Sequence, residues 1–472
     1  MGFLENKKHI HFIGIGGSGM YPLAQILNAK GFFLTGSDNN ETDTLKAVRD
    51  MGITVYFGQK AENIQGADLI VYSAAIMKDN LELVAAEQSG VATIERSVLL
   101  GEISGHFKNA VCVGGTHGKT TATALLTQIF LCAGIDISAV IGGKINIPDM
   151  QGSGRVGKTE TLILEACEFN DTFLKLLPDI AVVLNIDNDH LDYFGTIENS
   201  IKSFTKFCES AHSAIIFNGD DQNSLNAIDK ISPEKKLGKK FITFGLNGTS
   251  NYYSYKLKAV NGRYNFSIVK DMKRLGEVTL NVPGKHNVYN ALAAVAVADF
   301  CGLPFEKIKE GIEAFKGAGR RFEKIGEYNN ADIYDDYAHH PAELTATLQA
   351  AKDLSYQRVI AVFQPFTFSR TALLLEDFVK ALNLADVVVL TDIMGGREKN
   401  TQNIYTRHLA EKISNCVYFP QDETVPYTPE RKEENFNDVI NWLKENTKEG
   451  DLVITLGCGD ANKISKRLVK AD

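Results

Sequence analysis

The sequence predicts an α/β protein built as three successive blocks of alternating strand and helix. Three observations carry that prediction. From residue 9 to about 107, apolar runs of strand length alternate with helix-length stretches, "HIHFIGI", "GMYPLAQILNAKG", "FFLTGSD", "TDTLKAVRDMG" and "ADLIVYSAAI", the βαβ rhythm of a parallel sheet. The rhythm restarts at 109 with "NAVCVGGTHGKTTATALLTQIFLCAG" and continues through "TLILEA", "DIAVVLNI" and "SAIIFN". It starts a third time after "FKGAGRRFEKIG", with "ADIYDDYAHHPAE", "RVIAVFQPF", "DVVVLTDI" and "DLVITLGCGD". The length, 472 residues, suits roughly three domains at about 150 residues each. The predicted domains are 1–107, 108–322 and 323–472. Within the second, residues 240–282 hold less regular strand-like segments, and "GKHNVYNALAAVAVADFCG" reads as a helix rich in small residues.

Composition narrows the function classes. The chain is 44% hydrophobic and 23% charged, as in ordinary globular proteins, and no apolar run approaches the ~18 residues of a membrane span. Its start lacks the apolar core and small-residue cleavage site of a signal peptide, so the expectation is a cytoplasmic protein with no membrane partner. Seven scattered cysteines form no C-x-x-C pair, which suggests neither a zinc site nor a disulfide framework. A net charge of −8 without a basic block argues against a nucleic-acid partner. An anionic substrate would have to be met by locally placed cations.

Taken in order, the first motif is "GIGGSGM", where Gly14, Gly16 and Gly19 make a G-x-G-x-x-G between a strand and a helix. Gly14 suits the tight turn, Gly16 a close approach to a diphosphate and Gly19 helix packing. Asp38, nineteen residues after Gly19, would mark the ribose of a nicotinamide dinucleotide in a dehydrogenase.

Two stretches then compete as a phosphate loop. Gly152–Thr159 matches G-x-x-x-x-G-K-[ST] literally, whereas "VGGTHGKT" at 113–120 has Val113 at the first glycine position. Context favours the second. A phosphate loop needs a strand to deliver backbone N–H groups and a helix to begin behind them. Residues 152–159 follow "NIPDMQ" and lead into "TLIL", a strand-like run; the second loop follows "NAVCV" and opens into apolar positions 122, 125, 126, 129, 130 and 133, a helical spacing. The nucleotide loop is therefore placed at Gly115–Thr121, through Thr116, His117 and Gly118, with Lys119 for the terminal phosphates and the Thr120 hydroxyl for Mg²⁺. Mg²⁺ takes few protein groups. Candidates at strand ends are Glu165 and Glu168 after "TLIL", and Asp187, Asp189 and His190 in "NIDNDH"; spacing alone does not choose among them. Asp335, Asp336, His339 and His340 crowd "YDDYAHHPAE" ahead of Pro341, as helix caps or as a site. Arg320 and Arg321 are placed either to clamp phosphate or to pair with Glu323.

In series, "GIGGSGM", "SAAI", "GGTHGKTTA", "EACEFNDTFLKL", "LNIDNDHLDYFG", "GKHNVYNALAA", "RRFE", "YDDYAHHPAE", "FQPFTFSR" and "LTDIMGGREKN" resemble the Mur ligase family over essentially the whole chain. The resemblance implies an N-terminal Rossmann-like domain for a UDP-sugar, a central P-loop ATPase domain with a mainly parallel sheet, and a C-terminal Rossmann-like domain that receives the amino acid. It implies an ATP- and Mg²⁺-dependent ligase whose partners are UDP-N-acetylmuramate, L-alanine and ATP, acting as a monomer or homodimer. By the same resemblance, Lys119 and Thr120 bind phosphate and metal, with Glu165 and His190 as the further metal ligands. His286, Asn287 and Asn290 meet the adenine, and Arg321 with Asp335 contacts the nucleotide. Tyr337, His339 and Arg370 surround the amino acid and acyl phosphate, so that Lys119, His190, His339 and Arg370 form the catalytic set. Gly14, Gly16, Gly17, Gly19 and Met20 hold the diphosphate, with Asp38 and Ser73 toward the uridine. The boundary "FKGAGRRFE" is the expected hinge.

Three departures stand out. The family's frequent "EADESD" is "EACEFN", so Cys167 and Asn170 replace carboxylates; no basic residue precedes Arg370 in Phe366–Ser369; and Cys458 replaces a small residue in "LGCGD". Two other classes remain to be separated from a ligase. A nicotinamide oxidoreductase explains only residues 9–38, and a P-loop switch or motor ATPase leaves the C-terminal block idle.

Overall fold

The structure, a computed structural model, describes residues 2–145, 147, 150, 152–396, 398–420 and 428–470. These form three sheets. The first carries five parallel strands, β1 (His9–Ile13), β2 (Phe33–Asp38), β3 (Thr54–Phe57), β4 (Leu69–Tyr72) and β5 (Ala92–Glu95), in the order β3-β2-β1-β4-β5. The chain steps outward from β1 to β3 and then crosses to the other side for β4. Such a reversal opens a crevice at the carboxyl ends of the strands, and the glycine turn leaves β1 there. Ile10 and Phe12 of β1 and Leu23, Ala24 and Leu27 of the helix Tyr21–Ala29 lie in one apolar core.

The second sheet has ten strands: β6 (Asn109–Gly114), β7 (Ser138–Val140), β8 (Gly154–Arg155), β9 (Thr161–Glu165), β10 (Ile180–Val183), β11 (Ala214–Asn218), β12 (Lys240–Gly245), β13 (Tyr252–Val260), β14 (Arg263–Lys270) and β15 (Lys273–Leu280). Their order is β15-β14-β13-β12-β11-β10-β6-β9-β7-β8. From β7 through β9, β6, β10, β11 and β12 to β13 every neighbouring pair is parallel, while β8 runs antiparallel to β7. β6 and β10 are central and buried on both faces, which is why "NAVCV" and "IAVV" read as unbroken apolar runs.

The third sheet holds β16 (Glu323–Tyr328), β17 (Ala331–Asp336), β18 (Arg358–Phe363), β19 (Val387–Leu390), β20 (Cys416–Tyr418) and β21 (Asp451–Leu456), in the order β16-β17-β21-β18-β19-β20. All neighbours are parallel except β16 with β17. The last strand of the chain thus inserts between β17 and β18, which brings the ends of "IYDD", "AVFQ" and "ITLG" side by side. The chain divides into two compact units, one of Met1–Leu257, Phe266–Thr279 and Val288–Phe315, the other of Lys258–Asn265, Leu280–Asn287 and Lys316–Asp472. No helix among the described residues is long and apolar enough to cross a membrane.

Inside the first unit, the helix Lys119–Cys132 behind β6 packs closely on the helix Phe305–Ala314 because Gly311 offers no side chain: a Cβ there would lie 2.6 Å from Ile129 Cα. Gly311→Ala should therefore destabilise the fold by about 1–3 kcal/mol, seen as a lower urea midpoint with an unchanged slope.

Candidate active site

At the first crevice, Gly14 takes φ 83°, the left-handed turn expected of it. The Gly14 and Ile15 N–H groups donate to Ser37 O at 2.9 and 3.0 Å. Asp38 approaches the same turn. Its carboxylate accepts from Gly16 N at 2.9 Å and from Asn40 N at 3.0 Å, and a Cβ on Gly16 would sit 2.9 Å from Asp38 Oδ2. The close approach that Gly16 permits is thus made by a carboxylate of the chain itself. Gly17 N donates back to Gly14 O. A Cβ on Gly19 would meet the Arg96 side chain at 3.2 Å, so Arg96, which no motif indicated, sets a cation on the turn. Met20 turns its side chain into the core at 1% exposure and gives its N–H to Gly17 O, which leaves that side chain packing rather than facing a ligand. Ser73 lies just beyond β4, where its Oγ accepts from Ala75 N.

The loop after β6 is the better-built of the two phosphate-loop candidates. Gly115 and Gly118 hold φ 145° and 85°, and a Cβ on Gly118 would collide with Asn290 Oδ1 at 2.6 Å. Asn185, just past β10, accepts from His117 N at 2.8 Å and donates to His117 O at 3.0 Å, while its own carbonyl accepts from Thr116 N. Thr116 Oγ1 accepts from Asp187 N at 2.9 Å, and His117 Nε2 lies 3.2 Å from Asp187 Oδ2. Lys119 and Thr120 open the helix, with Thr121 buried behind them. Residues 152–159 differ in kind. They contain the short β8 and no following helix, and their N–H groups face the protein: Gly157 N donates to Ser138 Oγ, Lys158 N to Asp136 Oδ2 and Thr159 N to Asp136 O. Nothing is left for a phosphate at those three amides.

Lys119 is 13% exposed. Its Nζ donates to Gly115 O at 2.6 Å, to Thr116 O at 3.0 Å and to Glu168 Oε1 at 3.1 Å, with Glu168 Oε2 at 2.8 Å. Burial alone would weaken its hold on the proton, but Glu168 foremost, with Glu165, keeps the ammonium above its ordinary range. Glu165 Oε1 accepts from Thr120 Oγ1 at 3.2 Å and Oε2 from Gly142 N at 2.7 Å. His190 has φ 54°, uncommon outside glycine; its Nε2 is 3.9 Å from both Glu168 Oε1 and Asp189 Oδ2, and Phe169 packs on its ring at 4.8 Å. The two glutamates therefore divide the work, Glu165 with Thr120 and Glu168 with Lys119 and His190. Among the described residues, no three His, Cys, Asp or Glu side chains converge as a ready-made metal cluster.

The second unit gathers the C-terminal candidates at the ends of β17, β18 and β21. Asp335 is fully buried and accepts from Arg320 Nε at 2.9 Å and Thr455 Oγ1 at 2.7 Å. Arg320 further donates to Gly457 O and Gly459 O. Arg320 thus pairs with Asp335, a contact the sequence did not indicate, and Glu323 accepts from the Arg320 backbone N–H. Both guanidinium carbons lie 5.0 Å from the Tyr337 ring centroid. Burial pushes the Asp336 carboxyl up to about 6, against the pull of Arg321 and of the N–H groups of Ala338 and Phe322. The paired histidines separate. His340 caps the helix Pro341–Lys352, with Nδ1 accepting from Ala342 N, whereas His339 Nδ1 lies 3.2 Å from Glu343 Oε2. Arg370 stands in the short helix Phe368–Leu373, whose Ser369 donates through N and Oγ to Glu398. Burial pushes the Cys458 thiol up to about 12, with Arg370 opposing. His286 folds against Gly284, and Asn287 Nδ2 donates to Pro283 O at 2.6 Å.

Comparison with known proteins agrees with this arrangement sheet by sheet. Residues 9–108 match the Mur ligase family catalytic domain, 113–298 the Mur ligase middle domain and 320–459 the Mur ligase glutamate ligase domain. The UDP-N-acetylmuramate–L-alanine ligase of Caldanaerobacter subterraneus subsp. tengcongensis is 41% identical over 470 residues, 99% of this chain and 98% of that one. The ligase of the same name from Acetivibrio thermocellus is 41% identical, over 98% of this chain and 96% of its own. Among solved structures, the UDP-N-acetylmuramate-alanine ligase MurC of Thermotoga maritima superposes with a TM-score of 0.80 at 25% identity, covering 99% of each chain. The murein peptide ligase of Psychrobacter arcticus shares the fold, with a TM-score of 0.72 at 24% identity and 98% of each chain covered. The chain belongs to the Mur ligase family.

Proposed function

We propose that this chain joins L-alanine to the lactyl carboxylate of UDP-N-acetylmuramate, with ATP converted to ADP and phosphate, in the cytoplasmic synthesis of peptidoglycan precursors. The observation that carries the reading is the full-length match, at 41% identity, to ligases of that name. Residues 1–107 hold the UDP-sugar, 108–322 the ATP and 323–472 the amino acid, with "FKGAGRRFE" as the hinge between the last two.

A carboxylate resists amines because expelling its oxygen near neutral pH is unfavourable. Attack by the lactyl carboxylate on the γ-phosphorus of ATP forms the C(O)O–P bond, breaks the bond to the β,γ-bridging oxygen and releases ADP. The amino nitrogen of L-alanine then attacks the acyl carbon, and phosphate departs with the C–O electrons. In the first step two anions must meet. Lys119, held charged by its carboxylates, neutralises the phosphates, while the N–H groups at the start of its helix face them. Thr120 and Glu165 are hard oxygen donors 3.2 Å apart, which suits Mg²⁺, a cation that takes one or two protein oxygens and otherwise waters and phosphates; His190, beside Glu168, would be the further ligand. When bound, Mg²⁺ supplies charge neutralisation at the phosphates. His286, Asn287 and Asn290 serve the adenine, and Arg321 and Asp335 the nucleotide. In the sugar site, Gly14, Gly16, Gly17 and Gly19 present backbone to the diphosphate, Arg96 adds a cation, and Asp38 and Ser73 lie toward the uridine. Arg370 takes the amino-acid carboxylate, and His339 the proton of its ammonium.

Release of ADP should require UDP-N-acetylmuramate and L-alanine together. Release with ATP alone, or only with a macromolecule present, would refute the ligase. Glycine, lacking one methyl group, should be used less efficiently by about 10- to 200-fold in kcat/KM. Lys119→Met should lower kcat by at least about 10² to 10³, whereas Lys158→Met, in the literal but misdirected motif, should leave ATP turnover within about twofold, because a surface lysine there contributes little.

A further inference from the structure

We propose that Glu343 is a positioning residue for amide formation: it fixes the tautomer and orientation of His339, so that Nε2 accepts the proton of the incoming ammonium. The inference rests on the ligase reading above and deepens it. Glu343 sits in the first turn of the helix Pro341–Lys352. From there its carboxylate reaches back four residues, where Oε2 accepts from His339 N at 3.1 Å and lies 3.2 Å from His339 Nδ1. The Tyr337 carbonyl is also 3.2 Å from Nδ1.

Neither neighbour can donate, since a backbone carbonyl and an ionised carboxylate are acceptors only. The hydrogen of the neutral imidazole therefore belongs on Nδ1, and the lone pair on Nε2. The ring is held from a second side by Tyr337, edge-on at 5.6 Å and 81°, and Tyr337 is itself covered by Arg320 and Arg321. His339 and Glu343 are 18% and 16% exposed, so water competes poorly for their contact. The surrounding charge makes the carboxylate necessary. Arg320 and Arg321 lie on Tyr337, and Arg370 acts on Cys458 beside them. Three guanidiniums suit a substrate carboxylate and an acyl phosphate, but they oppose a new positive charge. Arg320 is already paired with Asp335; to that pair Asp336 and Glu343 add negative charge, Glu343 acting on Asp336, Tyr337 and Cys458.

In the step itself, the ammonium of the amino acid gives one proton to His339 Nε2, leaving a neutral amine and an imidazolium whose Nδ1–H points at Glu343. The amine lone pair forms the C–N bond at the acyl carbon. On collapse the C–O bond to phosphate breaks, and the second nitrogen proton leaves with the phosphate. The carboxylate works as the third member of a triad does, by orienting the base and stabilising its charged form.

Two nucleophiles test this in the intact enzyme with ATP and UDP-N-acetylmuramate. L-Alanine arrives as an ammonium and needs a base; hydroxylamine is already unprotonated at neutral pH and captures the acyl phosphate as a hydroxamate without one. Glu343→Gln removes the charge and can present an amide N–H to Nδ1, favouring the wrong tautomer. It should slow alanine-dependent kcat by about 100-fold or more, while hydroxamate formation and the KM values for ATP and UDP-N-acetylmuramate stay near wild type. His339→Gln should show the same split. Alanine turnover unchanged in Glu343→Gln would overturn the proposal, as would hydroxamate formation falling in parallel, which marks a merely structural role. An unchanged alanine rate in His339→Gln would instead remove the base itself. Wild-type enzyme that forms neither product would refute the ligase reading.

Discussion

One amide side chain holds the turns that follow β6 and β10 in register. β6 and β10 are neighbours in the second sheet, and each ends in a turn; Asn185, from the second turn, grips the backbone of His117, in the first, through both its oxygen and its nitrogen. A loop of glycines has little preference for any one shape. Clamped from the side, it holds one shape, and it carries Lys119 and Thr120 to the ends of β9 and β10, where Glu165, Glu168 and His190 lie. Phosphoryl transfer asks mainly for position and charge. The clamp fixes the position of this loop, and the carboxylates behind Lys119 keep a positive charge beside it.

The same arrangement answers how an acidic chain handles polyanions. A lysine as buried as Lys119 is tolerable only with partners, and in the structure those partners are Glu168 and two carbonyls of its own loop. Arg320 has the same kind of partnership with Asp335 and the carbonyls of Gly457 and Gly459. Both cations are thus presented without a basic surface. The net charge of −8 therefore reports on the periphery and says little about the sites.

What was legible in the sequence was whatever repeats or lies close along the chain. Buried parallel strands such as "NAVCV" and "IAVV" are continuous apolar runs, and the glycine turns sit where strand gives way to helix. β16 and β20 left no such trace, one being a half-exposed edge and the other three residues long. Contacts that depend on the tertiary fold were equally hidden. Arg96 meets Gly19 from 77 residues away in sequence, as the numbering shows, and nothing in "ERSV" announces it. Glu343 stood inside a quoted motif, yet its meaning depends on a helix that turns its side chain back onto His339. The pairing of Arg320 with Asp335 was hidden for a local reason. Arg320 and Phe322 take φ 58° and 49°, so side-chain directions through this stretch do not follow the simple alternation that adjacency in sequence suggests.

Motif matching and hydrogen-bond direction part company most clearly in the two glycine-rich loops. Residues 152–159 satisfy the literal pattern and spend their amides on Asp136 and Ser138, whereas residues 113–120 break the pattern at Val113 and keep the geometry. What a phosphate recognises is a set of N–H vectors converging on a point, and glycine spacing is only a correlate of that set. The G-x-G-x-x-G turn follows the same logic. Its backbone already receives an anion, the Asp38 carboxylate on Gly16 N–H, so glycine spacing here is no signature of one ligand. A dehydrogenase and a ligase can use one turn, because the chemistry is decided by groups carried elsewhere in the chain.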